Sequence, residues 1–181
     1  MKILPFFLIT IILLSSQFPT KAHALGRDSA ELTSTIQQPV KDSRVDILRD
    51  YLEAQNSPLA DHAATFVEMA DKYHLDWKLV AAISGLESGY GKAIPVNSYN
   101  AWGWGIYGDN VKRFESWDEA IATISQGLRE NYIDKTGSDS VYAIGPRYAA
   151  SPTWAVRVEN FMAQIESYST AKPEYNLSIA L

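Results

Sequence analysis

Leu86-Glu87-Ser88-Gly89-Tyr90-Gly91-Lys92 places one carboxylate at the end of an apolar segment, with glycines directly behind it. Upstream, Asp76 can cap a helix that carries Leu79, Val80, Ile83 and Leu86. Glu87 follows Ile83 by four residues and Val80 by seven, so the spacing predicts that it shares their inward face. A carboxyl on such a face is poorly solvated, which favours its neutral, proton-carrying form. A proton donor to a sugar leaving group needs that property. Gly89 and Gly91 end the helix and leave room for a ligand beside the carboxylate. The same residues also describe an ordinary solvated glutamate ahead of a glycine cap, and the motif alone leaves both readings open.

Outward from this stretch, helical signals dominate. Val45, Ile47, Leu48, Tyr51 and Leu52 mark a helix from near Ser43, and Ser57-Pro58 opens a second that runs to about Tyr73. The third spans Asp76 to about Ser88. Ser116-Trp117-Asp118-Glu119 is a capping box, followed by the stripe Trp117, Ile121, Ile124, Leu128 and Tyr132. A shorter helix is expected over Val141 to Tyr148. Ser151-Pro152 starts the last one, with Trp154, Val158, Phe161 and Ile165 on one stripe. Val111 to Phe114 could form a short strand. The expected fold is a single, mainly α domain over residues 44–170.

The two ends read differently. Lys2, the apolar run Ile3 to Leu14 and the small-x-small site Ala22-His23-Ala24 have the anatomy of a secretory signal peptide, residues 1–24. The run is short for a membrane span, so membrane attachment is expected only if this peptide stays uncleaved. Residues 25–43 are polar and read as a flexible linker, and residues 171–181 as a tail. The chain has no cysteine, which excludes a lipoprotein anchor, disulfides and thiolate metal sites. A domain of about 130 residues is long enough to be stable through one core instead. Such an exported chain suits a bacterial secreted or periplasmic protein of the cell envelope. Without residues 1–24 the chain loses Lys2 and Lys21 and no acid, leaving 14 basic against 21 acidic side chains. That balance argues against nucleic acid as a partner.

Several chemistries fail on spacing. Leu86 and Tyr90 stand where a serine nucleophile elbow around Ser88 would need glycine. His23, His62 and His74 have no metal-ligand spacing, and no phosphate-cradling loop is present, so neither metal nor cofactor is expected. The remaining informative segment is Asn97-Ser98-Tyr99-Asn100-Ala101-Trp102-Gly103-Trp104-Gly105-Ile106-Tyr107-Gly108. Its alternation of rings and glycines offers flat faces for sugar C–H surfaces and amides for hydroxyls. The other reading makes Trp102 and Trp104 core anchors under a glycine-rich turn, and at least one of them is expected to be mainly structural.

Four blocks in order resemble the glucosaminidase family of bacterial peptidoglycan hydrolases, in the lysozyme-like superfamily that also holds lytic transglycosylases. They are Glu87-Ser88-Gly89-Tyr90-Gly91-Lys92, Asn100-Ala101-Trp102-Gly103-Trp104, Phe114-Glu115-Ser116-Trp117-Asp118-Glu119, and Tyr148-Ala149-Ala150-Ser151-Pro152-Thr153-Trp154-Ala155. The resemblance implies a lysozyme-like helical domain with a catalytic groove and peptidoglycan glycan strands as partner; a monomer is the default expectation. It implies Glu87 as general acid and Tyr148 as the site tyrosine, with Ser88, Asn100, Trp102, Gly103, Trp104 and Tyr107 lining the sugar groove. Family members carry a second acid in an insert that is short here, which leaves Asp109 as the candidate. Without a second carboxylate, the family's alternative is a lytic transglycosylase in which Glu87 alone is acid and then base. A non-catalytic peptidoglycan-binding module is the rival reading.

Overall fold

The computed structural model describes residues 42–105 and 110–171. The signal-peptide reading, nearly all of the linker and the tail lie outside the described residues, as do Tyr107 and Asp109. Among the described residues, seven α-helices run α1 Ser43–Ala54, α2 Ala63–Tyr73, α3 Leu79–Ser88, α4 Trp117–Leu128, α5 Asp134–Thr136, α6 Val141–Tyr148 and α7 Trp154–Ala171. The mainly α expectation is met, and no strand occurs among the described residues. Val111 to Phe114 is irregular; its end is tied down by the Phe114 N–H, which donates to the Ser98 carbonyl at 3.0 Å.

Local chemistry sets the boundaries. Asp42 caps α1 by accepting from the Arg44 N–H. Ser57-Pro58 does not open α2 directly. The Ser57 hydroxyl accepts from the Leu59 N–H and donates to the Tyr90 carbonyl, so the chain first makes a turn and the 3₁₀ segment Ala60–His62. Asp76 accepts from the Lys78 N–H three residues before α3 begins. At the far end of α3, Gly89 takes the left-handed conformation at φ 59°. At α4 half of the capping box forms as expected: Ser116 Oγ accepts from the Glu119 N–H, while the Glu119 carboxylate reaches one residue past the cap, to the Glu115 N–H.

α3 is the centre of the domain. It packs against α7, while α2 packs against α4 and α1. Leu79 through Gly85 are buried on every side, so α3 is a core helix and not an amphipathic surface one. Phe66, Trp102, Ile121, Ile124, Leu128, Ile144 and Ile165 belong to the same buried core.

One helix departs from its expected stripe. Beyond Leu128 the chain makes a π-helical turn, Arg129–Ile133. The wider turn brings Ile133, five residues after Leu128, into the core, and leaves Tyr132 half-buried. Tyr132 is thereby turned toward the rings of Trp104 and Tyr148, at 5.9 and 5.7 Å between centroids.

Candidate active site

The last turn of α3 leaves the core. Glu87 is exposed, which corrects both the inward face predicted from its spacing and the poor solvation argued from it; α3 is already enclosed along its length, and only its end reaches the surface. The carboxylate is nevertheless held. Glu87 Oε1 accepts from the indole Nε1–H of Trp154 at 2.8 Å. Oε2 faces the Gly103 backbone, where an added Cβ would stand 4.0 Å away. Gly103 is itself exposed and sits at φ 62°, a conformation that suits a residue without a side chain.

Tyr148, the last residue of α6, is beside this carboxylate. Its hydroxyl donates to the Trp102 carbonyl at 3.0 Å, and its ring stacks on Trp154 with centroids 4.6 Å apart and planes at 24°. Desolvation pushes the Tyr148 phenol well above its ordinary pKa, reinforced by the nearby Glu87 charge and then by Tyr132. Tyr148 therefore works as a neutral hydrogen-bonding group at ordinary pH.

A cleft of about 440 Å³ opens next to these residues. Gly103, Trp104, Tyr132, Tyr148, Asn131 and Arg147 line it. Half-buried rings form its apolar wall, and exposed Asn131 and Arg147 add polar groups. Such a mixture of flat faces and hydrogen-bonding groups suits a neutral, hydroxyl-rich ligand.

The other residues expected to line a sugar groove point the opposite way. Trp102 is 1% exposed, and its indole N–H donates to the Val80 carbonyl at 2.8 Å; it is a core anchor. Asn100 is 2% exposed, and its whole amide is used within the loop. Its Nδ2 donates to the Trp104 and Lys112 carbonyls, while Oδ1 accepts from the Trp102 and Trp104 N–H groups. Ser88 is buried as well; its hydroxyl donates to the Ala101 carbonyl and accepts from the Gly91 N–H. These side chains fasten the end of α3 to the tryptophan loop and do not line the cleft. The structure thus brings Glu87, Gly103, Trp104 and Tyr148 together at one opening, and Ser88, Asn100 and Trp102 beneath it.

Trp154, Tyr132, Asn131 and Arg147 were not foreseen as site residues. Tyr132 carried only a helix-stripe signal, and Trp154 stood in a stripe and in the fourth block with no role attached; apolar periodicity does not reveal that one ring can line a cleft or that the other can bond a carboxylate. Among the described residues, no cluster of three His, Asp or Glu side chains is placed to hold a metal ion. No helix among them is long and apolar enough to cross a membrane.

No family model matches the chain. Two proteins of Streptococcus pneumoniae, from strains TIGR4 and R6, carry the provisional name endo-beta-N-acetylglucosaminidase and are each 29% identical over 122 residues. The match covers 63% of this chain but only 18% and 17% of those proteins, so the chain spans less than a fifth of their length. Among solved structures, a catalytic mutant of S. aureus autolysin E in complex with the disaccharide NAG-NAM superposes with a TM-score of 0.57 at 17% identity. It covers 68% of this chain and 66% of that one. Autolysin E in complex with the muropeptide NAM-L-Ala-D-iGlu gives a TM-score of 0.56 at 18% identity over the same shares. The chain is thus similar in sequence to proteins named for endo-beta-N-acetylglucosaminidase and shares the mainly α fold of autolysin E.

Proposed function

We propose that this chain is an exported glycosidase that cleaves the β-1,4 glycan backbone of peptidoglycan, with Glu87 as its general acid. The observation that carries the reading is the setting of Glu87. One carboxylate oxygen is tied to an indole and the other is turned to the backbone of Gly103, which lines an aromatic cleft. The substrate class follows from the relatives named for N-acetylglucosaminidase activity and from the fold shared with autolysin E, which was solved with NAG-NAM.

In this reaction Glu87 gives its proton to the glycosidic oxygen as the C1–O bond breaks, and positive charge develops at C1. A general acid of this kind contributes about 10²- to 10⁴-fold in rate. Trp104, Tyr132 and Tyr148 offer faces for the sugar rings, and the neutral Tyr148 hydroxyl stands near the developing charge. Hydrolysis needs a second group to activate water or to capture C1, and Asp109 is our candidate for it. If Asp109 does not serve, the sugar's own hydroxyl can capture C1 with Glu87 acting as base, which is the lytic transglycosylase outcome. Export by residues 1–24 would deliver the enzyme to the cell envelope, where it works as a monomer.

Mass spectrometry of the soluble products released from purified peptidoglycan, beside the Glu87→Gln variant, tests the proposal. Muropeptides that depend on Glu87 are expected. A reducing N-acetylglucosamine end identifies the glucosaminidase, and an anhydromuramyl end the transglycosylase. Binding to the wall with no product from either protein would overturn the enzyme reading in favour of a binding module.

A further inference from the structure

Trp154 opens α7 and is 3% exposed. Its ring is clamped between Tyr148, on which it stacks, and Gly145, where an added Cβ would stand 3.4 Å from Trp154 Cε3. Packing thus fixes the plane of the indole, and its N–H has one direction to point, toward Glu87 Oε1 at 2.8 Å. An indole nitrogen donates a hydrogen bond and never accepts one. Oε1 therefore offers a lone pair whether Glu87 is ionised or neutral, and it does so best as the carbonyl oxygen, because the hydroxyl oxygen of a carboxylic acid is the poorer acceptor. The acid hydrogen is left to Oε2, the oxygen bordered by exposed Gly103.

We infer that Trp154 is a positioning residue that fixes the acid proton of Glu87 on Oε2, facing Gly103, and holds the carboxylate after the proton has left. The inference rests on the reading of Glu87 as the acid. In the step, the Oε2–H bond breaks and its hydrogen becomes bonded to the glycosidic oxygen. The C1–O bonding pair stays with that oxygen, so Glu87 becomes anionic as C1 becomes positive. The Trp154 N–H then faces a full carboxylate instead of a carboxylic acid. A charge-assisted bond of that kind is roughly twice as strong as a neutral one. The contact therefore strengthens as the proton departs, and only interactions stronger in the transition state than in the ground state raise kcat. Tyr148 and Trp154 divide the work: the tyrosine holds the ring in place, and the ring holds the acid.

The test follows the Trp154 indole N–H by NMR in the full protein, assigned through Trp154→Phe, against pH in wild type and in Glu87→Gln. In wild type the indole resonance is expected to move as Glu87 takes up its proton, and in Glu87→Gln to lose that response. In kinetics, Trp154→Phe keeps the stacked ring without the N–H. It is expected to leave KM unchanged and to lower kcat by about 10- to 100-fold, the scale of one hydrogen bond to a charged group. A purely packing role would alter melting without this split. If Trp154→Phe does not fold, the NMR comparison decides alone. An indole resonance indifferent to Glu87→Gln overturns the inference even where wild type digests peptidoglycan and Glu87→Gln does not. Unchanged kcat in a folded Trp154→Phe also overturns it. Digestion undiminished in Glu87→Gln overturns the reading of the acid, and this inference with it.

Discussion

Glu87 and Ser88 are adjacent in sequence and opposite in setting, and the tryptophan loop repeats the contrast with Trp102 below and Gly103 and Trp104 above. On the lower side, Ser88, Asn100 and Trp102 each have their hydrogen-bonding groups occupied by backbone. On the upper side, Glu87, Gly103 and Trp104 border open space. A site of this kind needs both. The open groups can act only if the loop beneath them does not move, and a loop rich in glycine is held by side-chain bonds because it has no regular ladder of its own. The difference teaches that residues in one motif divide between those that do the chemistry and those that keep it in register.

The sharpest way to break the comparison is on the buried side. Trp102→Ala removes a ring packed against Phe66 and the indole bond to Val80, and leaves a cavity in the core. A loss of about 3–5 kcal/mol is expected in urea unfolding. Glu87→Gln, one helix turn from the same core, should leave the unfolding midpoint nearly where it is. If both variants melted alike, the division into two layers would be wrong.

Asn100→Ala comes next. The carbonyls of Trp104 and Lys112 lose the amide that satisfies them, and two N–H groups lose their acceptor. One orphaned buried polar group costs about 1–3 kcal/mol, and partial access to water keeps the total near that range. Activity per folded molecule should fall too, since Trp104 is released from its tether. Retention of full activity would show that the loop is held in place without the amide.

Gly127→Ala probes the upper side from underneath. A Cβ at Gly127 would stand 2.5 Å from Trp104 Cζ2, so the indole must shift. Overpacking costs about 1–3 kcal/mol, and replacing a helical glycine returns up to about 1 kcal/mol. The net loss of stability is therefore modest, and the shifted ring should appear as a raised KM for glycan. An unchanged KM would remove Trp104 from the sugar-binding surface.

The fold was legible because its signals are local. The α3 segment between Asp76 and Gly89, the capping box at Ser116 and the α6 and α7 segments each carry their own start signals or apolar stripes. The position of the proposed acid was also legible, since a lone glutamate ahead of Gly89 stands out. Its exposure was not, because periodicity assigns a face to a residue without saying where the covering helices stop. The burial of Asn100 and Ser88 was not legible for a related reason. A polar side chain in a loop rich in aromatic residues and glycine reads the same whether it faces a ligand or its own backbone. Trp154 was hidden because its partner lies sixty-seven positions away. Only the packing of α7 on α3 joins them.

The smallest effect is expected outside both layers, where a polar cluster joins α2 to α4. Asp118 Oδ1 accepts from the Thr65 hydroxyl at 2.6 Å and is 2.8 Å from His62 Nδ1. The Thr65 bond, and then His62, hold the Asp118 carboxyl below its ordinary pKa despite some desolvation. A group whose pKa is depressed by folding stabilises the native state above its unfolded value of 3.8, and that contribution is lost as pH falls through the folded value. Asp118 is half exposed and sits at the helix N-terminus, where screening by water limits a carboxylate to under about 1 kcal/mol. Asp118→Asn should therefore lower the melting temperature slightly near neutral pH, with the gap closing below pH 4. Peptidoglycan binding and turnover should be unaffected throughout. A change in KM here, matching that of Gly127→Ala, would mean that the α2–α4 contact feeds the cleft through Trp117, and that the two layers around Glu87 are not the whole of what positions it.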